Sequence, residues 1–148
     1  MSESASLIPV REIARLKEQV LYAVLNNQTF PGTNNRLAFP DLPFVLTQPA
    51  IYLVDNEIKN SINIEKINRQ VQVVSEDFLK KQHTGSGKII YFQFQTTESG
   101  KDNLWLSLDA KVLSAADQQT YSLTGMQMKF QKVGEKWRIM DEPTTLSA

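Results

Sequence analysis

The stretch HTGSGKI, residues 83–89, contains the glycines and the lysine from which phosphate-binding loops are built. Such a loop also needs a glycine five residues before its Gly-Lys pair, and Gln82 stands at that position. It further needs a serine or threonine directly after the lysine, where this chain has Ile89. The stretch therefore predicts a flexible turn that leads into a strand, and not a nucleotide site.

His83 is the only histidine of the chain. A Ser-His-Asp hydrolase holds its histidine between a hydroxyl and a carboxylate, whereas this one stands in the polar segment KKQHTGSG, which is typical of an exposed connection. The chain has no cysteine, and its acidic residues show neither a D-x-D-x-D nor an H-E-x-x-H spacing. We therefore predict no catalytic residue of this kind, no metal and no cofactor.

One carboxyl group has neighbours that suit acid–base chemistry, which needs a pKa raised by the surroundings. Asp109 lies with Trp105 on one face of a predicted strand whose leucines lie on the other face. If the sheet curls so that this face lines a cavity, Tyr91, Trp105 and Asp109 would form a small-molecule pocket. If it does not, they form a solvated face, which is the interpretation we favour.

The loop of residues 30–54 is the second candidate site. Its first fifteen residues contain three Phe and three Pro but follow no helical or strand period. Proline fixes φ and biases the residue before it toward extended geometry, so the loop is stiff. It can be a lid over the core, a docking surface for another protein or a second copy, or both at once. The candidate interface residues are Phe30, Arg36, Phe39, Asp41, Leu42 and Phe44.

Basic side chains cluster around the last predicted hairpin, where they can receive an acidic partner. Lysines on edge strands also prevent edge pairing, and we favour that explanation. Sixteen basic and sixteen acidic residues give zero formal net charge, whereas a domain built on phosphate contacts usually has a basic excess. Nucleic-acid binding is therefore disfavoured. The clustered residues are Lys129, Lys132, Lys136 and Arg138.

Hydrophobic periodicity places these candidates on elements. Apolar residues at helical spacing predict an amphipathic helix over 9–26, with Lys17 on its polar side. Ser75 before two acids predicts a short capped helix, and Gly125 marks a bulge where the buried parity of a strand switches. The predicted strands are 50–54, 70–74, 89–96, 103–112, 121–132 and 136–141, and the short helix is 76–82.

Helix and strands in separate blocks predict an α+β fold, with a long N-terminal helix packed on a curved antiparallel sheet of about five to six strands. A chain of 148 residues is one ordinary domain. We place it at 9–142, between a flexible N-terminus, 1–8, and a flexible tail, 143–148. No apolar run reaches the length of a membrane span and no signal region is visible, so we expect no integral membrane segment and a cytoplasmic location.

The ending TYSLTGMQMKFQKVGEKWRIMDEP, after a long opening helix and bent strands, resembles the closing hairpin of cystatin-like or NTF2-like domains, where W-[RKE]-[IV] commonly finishes the sheet. The second and third helices of the NTF2-like cone are not evident. The stretch FPGTNNRLAFPDLPFVLTQPAIYLVDNEI also resembles small uncharacterised proteins of cyanobacteria. The first resemblance implies a cone-shaped sheet, and cones of this type can use an aspartate as general base. Neither resemblance supplies a catalytic residue.

These patterns favour a non-enzymatic accessory, assembly or protein-interaction domain that docks through residues 30–54. Its expected partner is another protein or a second copy of itself. The alternative is a small-molecule-binding or isomerase-like NTF2-type protein that uses Tyr91, Trp105 and Asp109.

Overall fold

The computed structural model describes residues 8–26, 29–30, 39, 50–54, 71–82, 87–114 and 117–147, with Gln82 and residues 141–147 described by their backbone alone. Helices and strands in this part of the chain follow the order predicted for an α+β fold. The helices are α1, Val10–Leu25, and α2, Glu76–Gln82. The strands are β1, Ile51–Val54; β2, Val71–Val74; β3, Lys88–Glu98; β4, Asn103–Ser114; β5, Thr120–Val133; and β6, Lys136–Ser147.

The described strands form one open sheet in the order β2-β1-β3-β4-β5-β6. From β3 to β6 every neighbouring pair is antiparallel. The expectation of a purely antiparallel sheet is wrong at the other end, because β1 pairs in parallel with both β2 and β3. Parallel neighbours need long connections instead of a tight turn, and residues 55–70 and α2 lie between these strands in the chain.

Helix α1 packs its apolar side on one face of the sheet, which we call the inner face. The helix begins after Pro9, whose carbonyl accepts hydrogen bonds from the N–H groups of Glu12 and Ile13. Its buried stripe is wide enough to include Lys17, which the sequence pattern placed on the polar side. The Lys17 Nζ lies 5.5 Å from the ring centroid of Phe94, so the aliphatic stem is buried while the ammonium faces a ring.

The predicted alternation of the central strands is confirmed by their burial. Leucines of β4 and phenylalanines of β3 point to the inner face, where α1 covers them. The opposite face, which we call the outer face, is covered at one end by α2 through Leu79. Ser75 caps α2 as predicted, since its Oγ accepts a hydrogen bond from the Phe78 N–H at 3.1 Å. The buried inner-face residues of β3, β4 and β5 include Ile90, Phe92, Phe94, Leu104, Leu106, Leu108, Met126, Met128 and Phe130.

The bulge in β5 lies at Leu123 and not at Gly125. Ala110 pairs with Thr124 and Lys111 pairs with Ser122, so Leu123 is the extra residue. Gly125 pairs regularly with Asp109. A Cβ added to Gly125 would lie 2.5 Å from the Asp109 Oδ1, so the missing side chain makes room for this carboxylate.

Strand β6 is longer than predicted, because the backbone pairs with β5 as far as Ser147. The pairing shifts register between Lys129 with Met140 and Gln127 with Thr144. This irregularity takes in Pro143, which has no N–H to give to a ladder and is tolerated at bulges and on edge strands. The backbone of the predicted tail, 143–148, thus belongs to β6 as far as Ser147, and its flexibility stays a prediction.

The last residue of the predicted flexible N-terminus, 1–8, contacts the fold, and the flexibility of this segment stays a prediction. Ile8 is buried in the core, and its N–H donates to the Glu98 Oε1 at 2.8 Å. This contact ties the start of α1 to the end of β3. Residues 1–7 lie outside the described part of the chain.

Two phenylalanines of the predicted docking loop are core residues. The Phe30 ring lies 5.2 Å from that of Phe130, and the Phe39 ring lies 5.4 Å from that of Phe92, in both cases between centroids. Their exposed fractions are 1% and 6%, so both rings are packed in the core. Arg36, Asp41, Leu42 and Phe44 lie outside the described residues.

The packing of Phe39 can be tested by measuring how much it contributes to the stability of the folded chain. Replacing Phe39 by Ala should lower the free energy of unfolding by about 3 kcal/mol or more, because a buried ring is removed and a cavity is left. The matched control is Phe78→Ala, at a ring that is 39% exposed, for which we expect a loss below about 1 kcal/mol. Urea unfolding of the two variants measures both values. Equal losses would show that Phe39 is not held in the core.

Candidate functional site

A cleft of about 870 Å³ lies between the first turns of α1 and the hairpin formed by β5 and β6. Both walls are fixed elements, because the helix is held by the inner-face core and the hairpin by its strand pairing. The size lies within the range of ligand-binding pockets. The cleft is lined by Arg11, Glu12, Arg15, Leu16, Gln19, Phe30, Lys132, Glu135, Lys136 and Trp137.

The apolar part of the lining comes from three separate segments. Leu16 and Phe30 are fully buried, and Trp137 is half-buried and packs against the core. Phe30 is also the first residue of the loop that the sequence singled out. The cleft thus joins the surface of α1 to the start of that loop.

Glu12 ties the two walls of the cleft together. Its Oε1 accepts one hydrogen bond from the Trp137 Nε1 and another from the Lys132 Nζ, each at 3.0 Å. The hydrogen bond from Trp137 lowers the pKa of Glu12 most, the bond and the charge of Lys132 lower it further, and burial opposes them. Glu12 therefore stays ionised at neutral pH and forms an ion pair with Lys132.

The rim of the cleft carries an excess of positive charge. Arg11 and Arg15 are exposed on α1, and Lys136 is exposed at the hairpin. Glu135 is the acidic residue of the rim, since Glu12 is engaged with Lys132. Arginine binds carboxylates and phosphates with paired N–H groups, so this rim suits an anionic group.

The residues of the alternative pocket lie on the outer face, in a row along β3 and β4. Tyr91 is buried under α2 beside Leu79, and burial is the main cause that raises its pKa, followed by the charge of Glu76. Trp105 is 38% exposed, with the Lys129 Nζ 5.4 Å from its ring centroid. The structure thus places Tyr91 and Trp105 on one face but covers Tyr91 with a helix.

Asp109 lies between them on the same face, half-buried over Gly125. Burial raises the pKa of this carboxyl, while the charge of Lys111 and a hydrogen bond from Ser107 act in the opposite direction. The Ser107 Oγ lies 3.4 Å from the Asp109 Oδ2. Asp109 is therefore the described carboxyl group best suited to exchange a proton, although Tyr91 and Trp105 do not enclose it.

The sequence pattern missed the cleft. The recurrence of Arg11, Arg15 and Gln19 at every fourth residue was visible, and the basic cluster at the last hairpin was noted. Their meeting depends on how α1 crosses the sheet, which periodicity does not encode. Nothing in the residue pattern singled out Glu12 or its bond to Trp137.

In the described part of the chain, no three acidic residues come together in a group that could hold a metal ion. His83, the histidine of the chain, lies outside this part. Neither helix of the described part combines the length and the hydropathy needed to cross a bilayer.

The whole chain was compared with known proteins. It matches no protein-family model, and it matches no protein of curated function.

The Glu12 contact has a pH dependence that can be measured. Because the folded chain lowers the pKa of Glu12 below 4.5, the stabilisation is present above this value and is lost as the pH falls through the folded pKa. In a Trp105→Phe variant, Trp137 is the only tryptophan left, so its fluorescence should change with a midpoint below pH 4.5. Adding Lys132→Met should raise the midpoint. A midpoint above 4.5 without that change would contradict the contact.

Proposed function

We propose that this chain is a non-enzymatic protein-interaction domain, acting as an accessory or assembly factor, and that its partner binds in the cleft between α1 and the β5–β6 hairpin. The observation that carries this proposal is the cleft itself, which combines a basic rim with a partly exposed Trp137 ring. Phe30 is the first residue of the loop of residues 30–54 and lies in the lining, and we propose that the partner contacts this loop as well.

The packing of the inner face supports a site at the margin of the fold. In a cone-shaped sheet a ligand lies between the helix and the strands, but here these strands and α1 contact each other through buried apolar residues. A partner of the folded chain must therefore bind outside this core. The cleft is a concave surface outside this core, between α1 and the edge of the sheet.

The chemistry of the cleft supports binding over catalysis. Glu12, whose pKa is lowered, is a weak base at neutral pH, and arginine does not exchange its proton in this range. Arginine and aromatic residues are, by contrast, the residues that contribute most to protein interfaces. Arg11, Arg15 and Trp137 supply both types here.

Photo-cross-linking can test this proposal. A photoreactive phenylalanine analogue placed at Gln19, inside the cleft, should form one dominant covalent adduct in an extract of the source cells. The matched control is the same analogue at Gln95, which is exposed on β3 outside the cleft. We expect no such adduct from Gln95, and we expect the Gln19 adduct to weaken when Arg15→Glu is added. Equal adducts from both positions, or none from Gln19, would contradict the proposal.

A second candidate function rests on Asp109. Its raised pKa and its place over Gly125 support a small-molecule-binding or isomerase-like role on the outer face, with Trp105 beside the ligand. A metabolite that raises the melting temperature of the natural chain but not of an Asp109→Asn variant would favour this function over the first.

The same variant tests the environment of Asp109 without a ligand. Since the folded chain raises its pKa above 3.8, ionisation costs stability as the pH rises from that value through the folded pKa. Asp109→Asn should therefore melt a few degrees higher than the natural chain at pH 7. The two should melt together near about pH 3, where both side chains are uncharged. A lower melting temperature of the variant at pH 7 would show that the carboxylate is stabilising.

A further inference from the structure

We infer that the occupant of the cleft is an acidic segment of a partner protein. The segment is extended and has two carboxylates, one on each side of an apolar side chain. This inference rests on the proposed function and adds the chemistry of the partner. It is carried by the charges of the rim, the partly exposed Trp137 and the Glu12 carboxylate that already lies in the lining.

The charge of the lining differs from that of the chain. The whole chain has sixteen basic and sixteen acidic residues, but the lining has four basic side chains against two acidic ones. Glu12 and Lys132 pair with each other. The other charged residues of the lining are three basic ones and one acidic one, namely Arg11, Arg15, Lys136 and Glu135. A local positive excess on a neutral chain attracts an acidic partner and fixes its orientation.

The spacing of the arginines matches an extended acidic peptide. Arg11 and Arg15 are one helical turn apart, so their Cβ atoms lie roughly 6 Å from each other along α1. Alternate residues of an extended strand are about 7 Å apart and point to the same side. Two carboxylates at alternate positions of the peptide can thus each meet one guanidinium, while Lys136 approaches from the opposite wall.

Glu12 provides an internal example of this chemistry. Its carboxylate lies in the lining and accepts hydrogen bonds from an indole and an ammonium group of the hairpin wall. The donors of the hairpin wall are therefore able to bind a carboxylate. A partner carboxylate would extend the same network toward the two arginines, which lie on the same wall as Glu12.

The hairpin wall selects for an apolar group between the charges. The side chain between the two carboxylates points to the opposite side of the extended peptide, toward the hairpin wall, where Trp137 is partly exposed. Burying one apolar side chain against this ring adds affinity that a purely ionic contact lacks. A nucleic-acid strand fits less well, because the chain has no basic excess with which to neutralise a long run of phosphates. We therefore commit to a peptide.

Selection from a random peptide library can test the inference with the full chain as bait. Selected 12-residue peptides should be enriched in Asp and Glu on both sides of Leu or an aromatic residue. A synthetic peptide of the enriched sequence should bind about tenfold more weakly to Arg15→Glu and to Lys136→Glu than to the natural chain. Its affinity should fall as salt is raised.

The control variant is Arg138→Glu, which reverses another exposed hairpin charge outside the lining. It should bind the peptide within about twofold of the natural chain, and circular dichroism melts should confirm that all three variants fold. Peptides without an acidic excess, affinity that ignores Arg15→Glu, or tighter binding of a 12-nucleotide oligothymidine would overturn the inference. The proposed function would survive that outcome if the Gln19 adduct still forms, and it fails separately if that adduct is absent.

Discussion

The packing of α1 on the inner face of the sheet is the interaction on which the rest of the structure depends. The helix buries residues from Ile13 to Val24 against β3, β4 and β5, and each apolar side chain moved out of water contributes about 1.5–3 kcal/mol. Because helix and strands contact each other directly, the space between them is occupied by core residues. A partner of the folded chain would therefore have to bind at the margins of the helix or on the outer face of the sheet.

The carboxylate of Glu12 connects the first turns of α1 to the last hairpin. Glu12 receives hydrogen bonds from both strands of the hairpin and so fixes the distance between α1 and the sheet edge. The interaction is charge-assisted and half-buried, which makes it stronger than an exposed ion pair. It also neutralises Lys132, so that the charge presented to a partner comes from the two arginines of α1 and from Lys136. The contact of Glu12 with the hairpin thus fixes the distance between the two walls of the cleft and pairs one basic side chain of its lining.

Local pattern predicted those parts of the fold that depend on neighbours in sequence. The alternation in β3 and β4 and the cap of α2 by Ser75 follow from side-chain direction and from local hydrogen bonds, and the structure has both. The parallel pairing of β1 could not be predicted this way, because it depends on which strands meet across long connections. The cleft could not be predicted for the same reason, because it forms only where α1 crosses the sheet beside the β5–β6 hairpin. The place of the bulge shows a subtler failure: a glycine suggested it, but Gly125 serves the Asp109 carboxylate and Leu123 is the extra residue.

Hydrogen exchange of the chain, alone and bound to the partner captured by cross-linking, tests most directly whether the margin of α1 is the binding surface. If the partner lies in the cleft, amide exchange should slow in the first turns of α1 and in the hairpin around residues 131–138, while the outer-face segment around residues 105–109 exchanges as before. Slower exchange of residues 105–109 with unchanged exchange in α1 and the hairpin would contradict a cleft site and would place binding at Trp105 and Asp109.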